Sequence, residues 1–127
     1  MTPTWLNEIV VGFGRQLGLE RFELNDRGVA GLRVENGLSV RLEYAQESLL
    51  MTVGVAVPPS AATLTHLLAL VHPDARRQPP MRAAYLARTG EAVYAVRVPE
   101  REVTVTQLEA VFRSLWTVAE QFRRAVQ

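Results

Sequence analysis

Few residues in this chain have the type and spacing for acid–base or metal chemistry. His66 and His72 are its two histidines. Six positions apart on a helix, they point about 240° away from one another and cannot converge on one metal ion. Asp74 is the one carboxylate near them in sequence. They read as surface or interface side chains, with a pH-dependent contact as the sharper alternative. Gly12-Phe13-Gly14 followed by Gly18 has the outline of a dinucleotide fingerprint. That fingerprint follows a strand and opens a helix, whereas these glycines fall inside a helical pattern with no strand before them. No Gly-x-Ser-x-Gly elbow surrounds Ser39, Ser48, Ser60 or Ser114. Glutamates are plentiful, but no spacing singles out a general acid–base pair. Cysteine is absent and every one of the 14 basic residues is arginine. Thiolate chemistry, disulfides, Schiff-base lysines and Walker-type phosphate loops are therefore excluded. The doublets Arg76-Arg77 and Arg123-Arg124 are solvated charge, or contacts for a phosphate or an acidic partner. The aromatics are not interleaved with arginine as a base-stacking platform requires. These residues give no support for an enzyme, a metal site or a cofactor.

The elements that would position a binding surface are better defined. At 127 residues, 48% hydrophobic and 21% charged, the chain has the apolar content for one packed domain over residues 1–127. A net charge of +1 lacks the basic excess of most nucleic-acid modules. No signal peptide is expected at Met1-Thr2-Pro3-Thr4-Trp5, and the longest apolar run, Leu49 to Val57, is too short to enter a membrane as a span. A cytoplasmic location is expected. Proline at the first helical position opens a helix over about 3–17, with Trp5, Leu6, Ile9, Val10, Phe13 and Leu17 on one face and Gly18 as a left-handed cap. The period then changes to two. Phe22 and Leu24 alternate with charge before the turn Asn25–Gly28. Ala30, Leu32 and Val34 lead to the hairpin signal Asn36-Gly37, and Leu38, Val40, Leu42 and Tyr44 return on one face. A third strand aligns Leu49, Met51, Val53, Val55 and Val57. Ser60 caps a middle helix over about 61–72, ended by Pro73. Two short strands, about 81–88 and 91–98, are joined by Thr89-Gly90. A capping box at Thr106–Glu109 opens the last helix, with Glu109–Arg113 and Glu120–Arg124 as i,i+4 pairs. The order α-β-β-β-α-β-β-α predicts an α+β domain with helices packed on a twisted antiparallel sheet.

The middle helix has more apolar surface than a solvent-facing helix. Leu64, Leu67, Leu68, Leu70 and Val71 cover an arc of about 160°, and the rest carries no charge. Such a surplus suits an isologous dimer interface. The alternative is that this helix is the sandwiched core of a monomer.

Several segments together resemble a known family. They are Phe13-Gly14-Arg15-Gln16-Leu17-Gly18-Leu19, the stretch Gly37-Leu38-Ser39-Val40-Arg41-Leu42-Glu43-Tyr44, and the amphipathic helix from Leu108. With the element order, they make the chain similar to the class I type III secretion chaperones, the CesT/SycE-like family. Trp5-Leu6 and Pro80-Met81-Arg82-Ala83-Ala84-Tyr85-Leu86 resemble its SycN-like branch. The resemblance implies a bacterial, non-enzymatic dimer without a cofactor, pairing through the middle helix. It further implies a partner that is the N-terminal region of a secreted effector or gatekeeper protein, held extended and export-competent. SycN-like members pair with a second small chaperone, so both homodimer and heterodimer are open. Cargo would add a strand at an open sheet edge and insert apolar side chains beside the first helix. Ile9, Phe13, Leu32, Val34, Leu38 and Val40 are the candidate cargo contacts. The near-neutral charge departs from the acidic composition common in the family. A small ligand-sensing or enzymatic α+β domain with an apolar groove is the competing reading.

Overall fold

Proline rather than a side-chain cap starts the first helix. In the computed structural model, which describes residues 2–34, 37–58, 60, 64, 65, 67 and 80–126, α1 spans Thr4–Gln16. Pro3, expected as the first helical residue, stands one place before the helix, at the N-cap, with an extended ψ of 139°. Its carbonyl accepts from the N–H groups of Leu6 and Asn7, each at 3.2 Å. The helix ends as the sequence predicts. Gly18, at φ +83°, donates to the Arg15 carbonyl at 2.9 Å, and Leu19 donates to the Gly14 carbonyl at 2.8 Å. This pair of bonds satisfies carbonyls that the helix end would leave open.

Five antiparallel strands form one sheet: β1 (Val29–Arg33), β2 (Leu38–Ala45), β3 (Ser48–Ala56), β4 (Arg82–Leu86) and β5 (Glu91–Pro99). Their spatial order is β1-β2-β3-β5-β4. The β2–β3 turn uses Gln46 and Glu47, both at positive φ (52° and 58°). Such a two-residue loop matches the strand twist although neither residue is Asn or Gly. Phe22 and Leu24 are buried without joining the sheet. The Asn7 side-chain carbonyl accepts the Leu24 N–H at 2.9 Å and holds that segment along α1.

One face of the sheet is covered. Pairs such as Ala30↔Leu42, Val40↔Val53 and Met51↔Val96 lie on it, and all six side chains are buried. The last helix, α2 (Val105–Val126), packs on β3 and β5 through Leu108, Val111, Leu115, Val118, Ala119 and Phe122. Its N-cap is Thr104, two residues before the Thr106 expected: the Thr104 Oγ1 accepts the Gln107 N–H at 3.0 Å. The capping template fits both Thr104–Gln107 and Thr106–Glu109, and Thr104 is the one that stands outside the helix. Glu120 likewise pairs with Arg123 at 2.8 Å, one residue short of the Arg124 expected. The hydrogen bond from Arg123 holds the Glu120 carboxyl below its ordinary value. Its stabilising effect is therefore present at neutral pH and lost as pH falls.

Of the expected middle helix, Leu64, Thr65 and Leu67 are described and helical. Leu67 is 2% exposed, and its carbonyl accepts the Tyr94 hydroxyl at 3.2 Å. The Tyr94 ring meets Phe122 edge-on, with centroids 6.0 Å apart. Leu68, Leu70, Val71, His66, His72 and the loop around Arg76-Arg77 lie outside the described residues.

Gly14 marks the tightest approach of α1 to the segment behind it. A Cβ there would stand 2.5 Å from the Phe22 Cβ. Gly14→Ala should gain about 1 kcal/mol of helix propensity but meet an overpacking penalty of about 1–3 kcal/mol. Urea denaturation should show a net loss of stability; an unchanged or higher midpoint would contradict this contact.

Candidate functional site

Along an antiparallel pair, backbone groups point alternately toward the partner and away from it. The Val34 N–H donates to the Leu38 carbonyl at 2.7 Å, and the Tyr44 N–H donates to the Gly28 carbonyl at 2.8 Å. Carried along the register Leu32↔Val40 and Ala30↔Leu42, this turns residues 30, 32 and 34 toward β2. Residues 29, 31 and 33 therefore present their N–H and C=O groups to the open side of β1. Asn25 closes the first of these. Its side-chain carbonyl accepts from the Val29 N–H at 3.1 Å, and its own N–H donates to the Val29 carbonyl at 2.9 Å. Gly31 and Arg33 are left with backbone groups that have no partner among the described residues.

A groove flanks this edge on each face of the sheet. On the helix-covered side, a groove of about 440 Å³ is lined by Leu19, Phe22 and Leu32, with Glu20 and Arg21 at its rim. On the other side, uncovered by any helix among the described residues, a groove of about 560 Å³ is lined by Arg27, Arg33, Arg41, Ser39 and Glu91. Gly31 borders both. A third groove, of about 380 Å³, runs between the end of α1 and α2 past Leu17, Phe112, Arg113 and Trp116. Its aromatic wall is the Phe112–Trp116 pair, 5.4 Å between centroids.

The residues nominated from sequence divide into two groups. Leu32 lines the groove beside Phe22, while Ile9 and Val34 are half-buried against the core. Phe13, Leu38 and Val40 are 0%, 1% and 3% exposed. The Phe13 ring is enclosed by Phe22 and Phe112, at 6.2 and 5.8 Å. The side chains of these three are interior to the chain itself, although Val40 also borders the groove on the other side of the sheet. Sequence reasoning missed Gly31, Arg33 and Arg41. The signal available was a glycine inside a strand of otherwise alternating residues. Among the described residues no cluster of His, Asp or Glu could hold a metal ion, and no helix is long and apolar enough to cross a membrane.

The profile of the Tir chaperone protein (CesT) family matches residues 8–123. The chain belongs to that family. It is a type III secretion chaperone and not an enzyme, which sets aside the competing small-ligand or enzymatic domain. Solved structures share the fold. The crystal structure of the ExsC–ExsE complex contains a chain 21% identical, with a TM-score of 0.80, covering 97% of this chain and 94% of that one. The HopA1–SchA chaperone–effector complex gives 17% identity and a TM-score of 0.74, covering 98% and 99%. The ExoU–SpcU complex from the type III secretion system of Pseudomonas aeruginosa gives 17% and 0.68, covering 93% and 98%. No curated protein sequence matches the chain.

Asn25 should limit the open part of this chaperone's β1 edge. Asn25→Ala removes the acceptor of both the Arg27 and Val29 N–H groups. A stability loss of about 1–2 kcal/mol is expected, with faster amide exchange at Val29. Unchanged exchange there would show that Asn25 does not close the edge.

Proposed function

We propose that this chaperone acts in the bacterial cytoplasm as a dimer that receives the N-terminal region of a secreted effector or gatekeeper protein as an added strand beside β1. The observation that carries this reading is the open pair of backbone positions at Gly31 and Arg33, flanked by a groove on each face of the sheet. A strand laid there would complete four backbone hydrogen bonds, each contributing about 0.5–1.5 kcal/mol net. Its side chains would enter the two grooves alternately, because successive residues of a strand point to opposite faces. Leu32 lines the groove on the helix-covered face, and Ile9 and Val34, half-buried against the core, are the further apolar candidates for contact with such a cargo. Pairing in this form holds the cargo extended and uses backbone groups that would otherwise start its own folding or aggregation. Binding at equilibrium needs no nucleotide.

The second half of the proposal is dimerisation through the middle helix, with Leu64, Leu67, Leu68, Leu70 and Val71 as interface candidates. Leu64, at 41% exposure, supports it as a large apolar side chain facing solvent in the single chain. Leu67 is already used inside the chain, against Tyr94, so its part in the interface would be to support its neighbours. The pairing partner is a second copy or a second small chaperone.

Hydrogen exchange tests the cargo site. In the free chaperone the amides of Gly31 and Arg33 should exchange quickly and those of Ala30 and Leu32 slowly. On co-expression with its secreted partner, the first two should become protected; protection confined to β4 would contradict the proposal. Light scattering tests the dimer. The particle should have at least twice the 14.2 kDa chain mass. Leu64→Arg should shift it toward one chain, and an unaltered mass would exclude Leu64 from the interface.

A further inference from the structure

The two grooves beside β1 differ in chemistry, and the uncovered one is built around arginine. Its lining includes three arginines, Arg27, Arg33 and Arg41, against one carboxylate, Glu91. Glu91 is engaged, its Oε2 accepting from the Ser39 Oγ at 3.0 Å. Arg41 has only a long contact to the Glu43 carboxylate, at 3.7 Å, with both side chains widely exposed. Arg27 and Arg33 make no ion pair among the described residues.

Gly31 supplies an independent observation. It lies mid-strand, and its φ is not in the left-handed region. A Cβ added there would meet nothing nearer than the Val40 carbonyl oxygen, at 3.7 Å. Neither turn geometry nor packing within the chain requires glycine, and glycine weakens a strand. Gly31 stands directly opposite Arg41 in the register, and both line this groove. Any side chain at 31 would screen Arg41 from a strand arriving at the edge; glycine leaves the way clear.

Building on the strand-addition reading, we infer that the cargo strand carries acidic side chains at the alternate positions facing the uncovered side of the sheet. There Arg27, Arg33 and Arg41 receive them across Gly31. The intervening cargo positions, facing Leu32 and Phe22, are apolar. The recognised pattern is thus acid alternating with apolar over the few residues that pair with 31–33. An arginine fork suits carboxylates, and such pairs select partners by charge and weaken with salt.

The test uses the full chain and two labelled ten-residue peptides, one alternating glutamate with valine and the other lysine with valine. Fluorescence anisotropy at low salt should show the glutamate peptide binding at least about tenfold more tightly, with that preference shrinking as salt rises. Gly31→Val and Arg33→Gln should each reduce binding of the glutamate peptide several-fold. Valine suits a strand, so Gly31→Val should leave the melting temperature unchanged or raised, which separates lost binding from lost fold. Equal affinity for the two peptides, or wild-type binding by both variants, would overturn the inference and leave the arginines as solvated edge charge. Capture of a co-expressed secreted partner is scored separately. A chain that captures its partner but does not discriminate the peptides remains a chaperone and loses this pattern. Discrimination of the peptides with no secreted partner captured keeps the acid-selective edge and removes its assignment as the cargo site.

Discussion

An edge strand in water has to do something with the backbone groups that no neighbour takes up. In this chaperone the hydrogen-bond alternation set by Val34–Leu38 and Tyr44–Gly28 decides which groups those are, and Asn25 takes up the pair at Val29. Among the described residues, what stays open is a short slot at Gly31 and Arg33. The core is indirectly responsible for that slot. Burying Ala30 on the helix side, with Leu32 half-buried beside it, fixes the register against Leu42 and Val40, and a one-residue slip would turn every apolar side chain outward. The apolar core and the open edge are thus two results of one register.

The α1 end of the molecule shows how the inner wall of the slot is built. Gly18 stops the helix with a left-handed turn, Leu19 follows it, and Gly14 lets Phe22 close against α1. Asn7 then holds Leu24 alongside. The chain arrives at Asn25 already aligned with the edge it will close. Leu19 and Phe22 line the apolar groove because of this path, although neither belongs to a regular element.

Much of this was legible in the amino-acid sequence. The amphipathic period of residues 4–16, the Gly18 cap and the strict alternation of Leu38–Tyr44 and Leu49–Val57 depend on local geometry, and the structure follows them. Choices that depend on distant partners were not legible. Strand order needs pairings such as Met51↔Val96, across a long intervening segment. An alternating strand announces two faces without saying how much of each is left to solvent, so Phe13, Leu38 and Val40 could be nominated for cargo although the chain's own helices and strands enclose them. The capping template fitted two registers, and only the helix start at Val105 selects Thr104. Gly31 was visible as a letter, but its meaning appears only when Arg41 is found opposite and the edge beside it is open.

Solution NMR of the isotopically labelled chaperone bound to the N-terminal segment of its co-expressed cargo tests the central claim most directly. Contacts between cargo backbone protons and the Gly31 and Arg33 amides, in the pattern of paired strands, are the predicted result. Cargo seated against β4 or along the Phe112–Trp116 groove, with the β1 edge still open to water, would contradict the account.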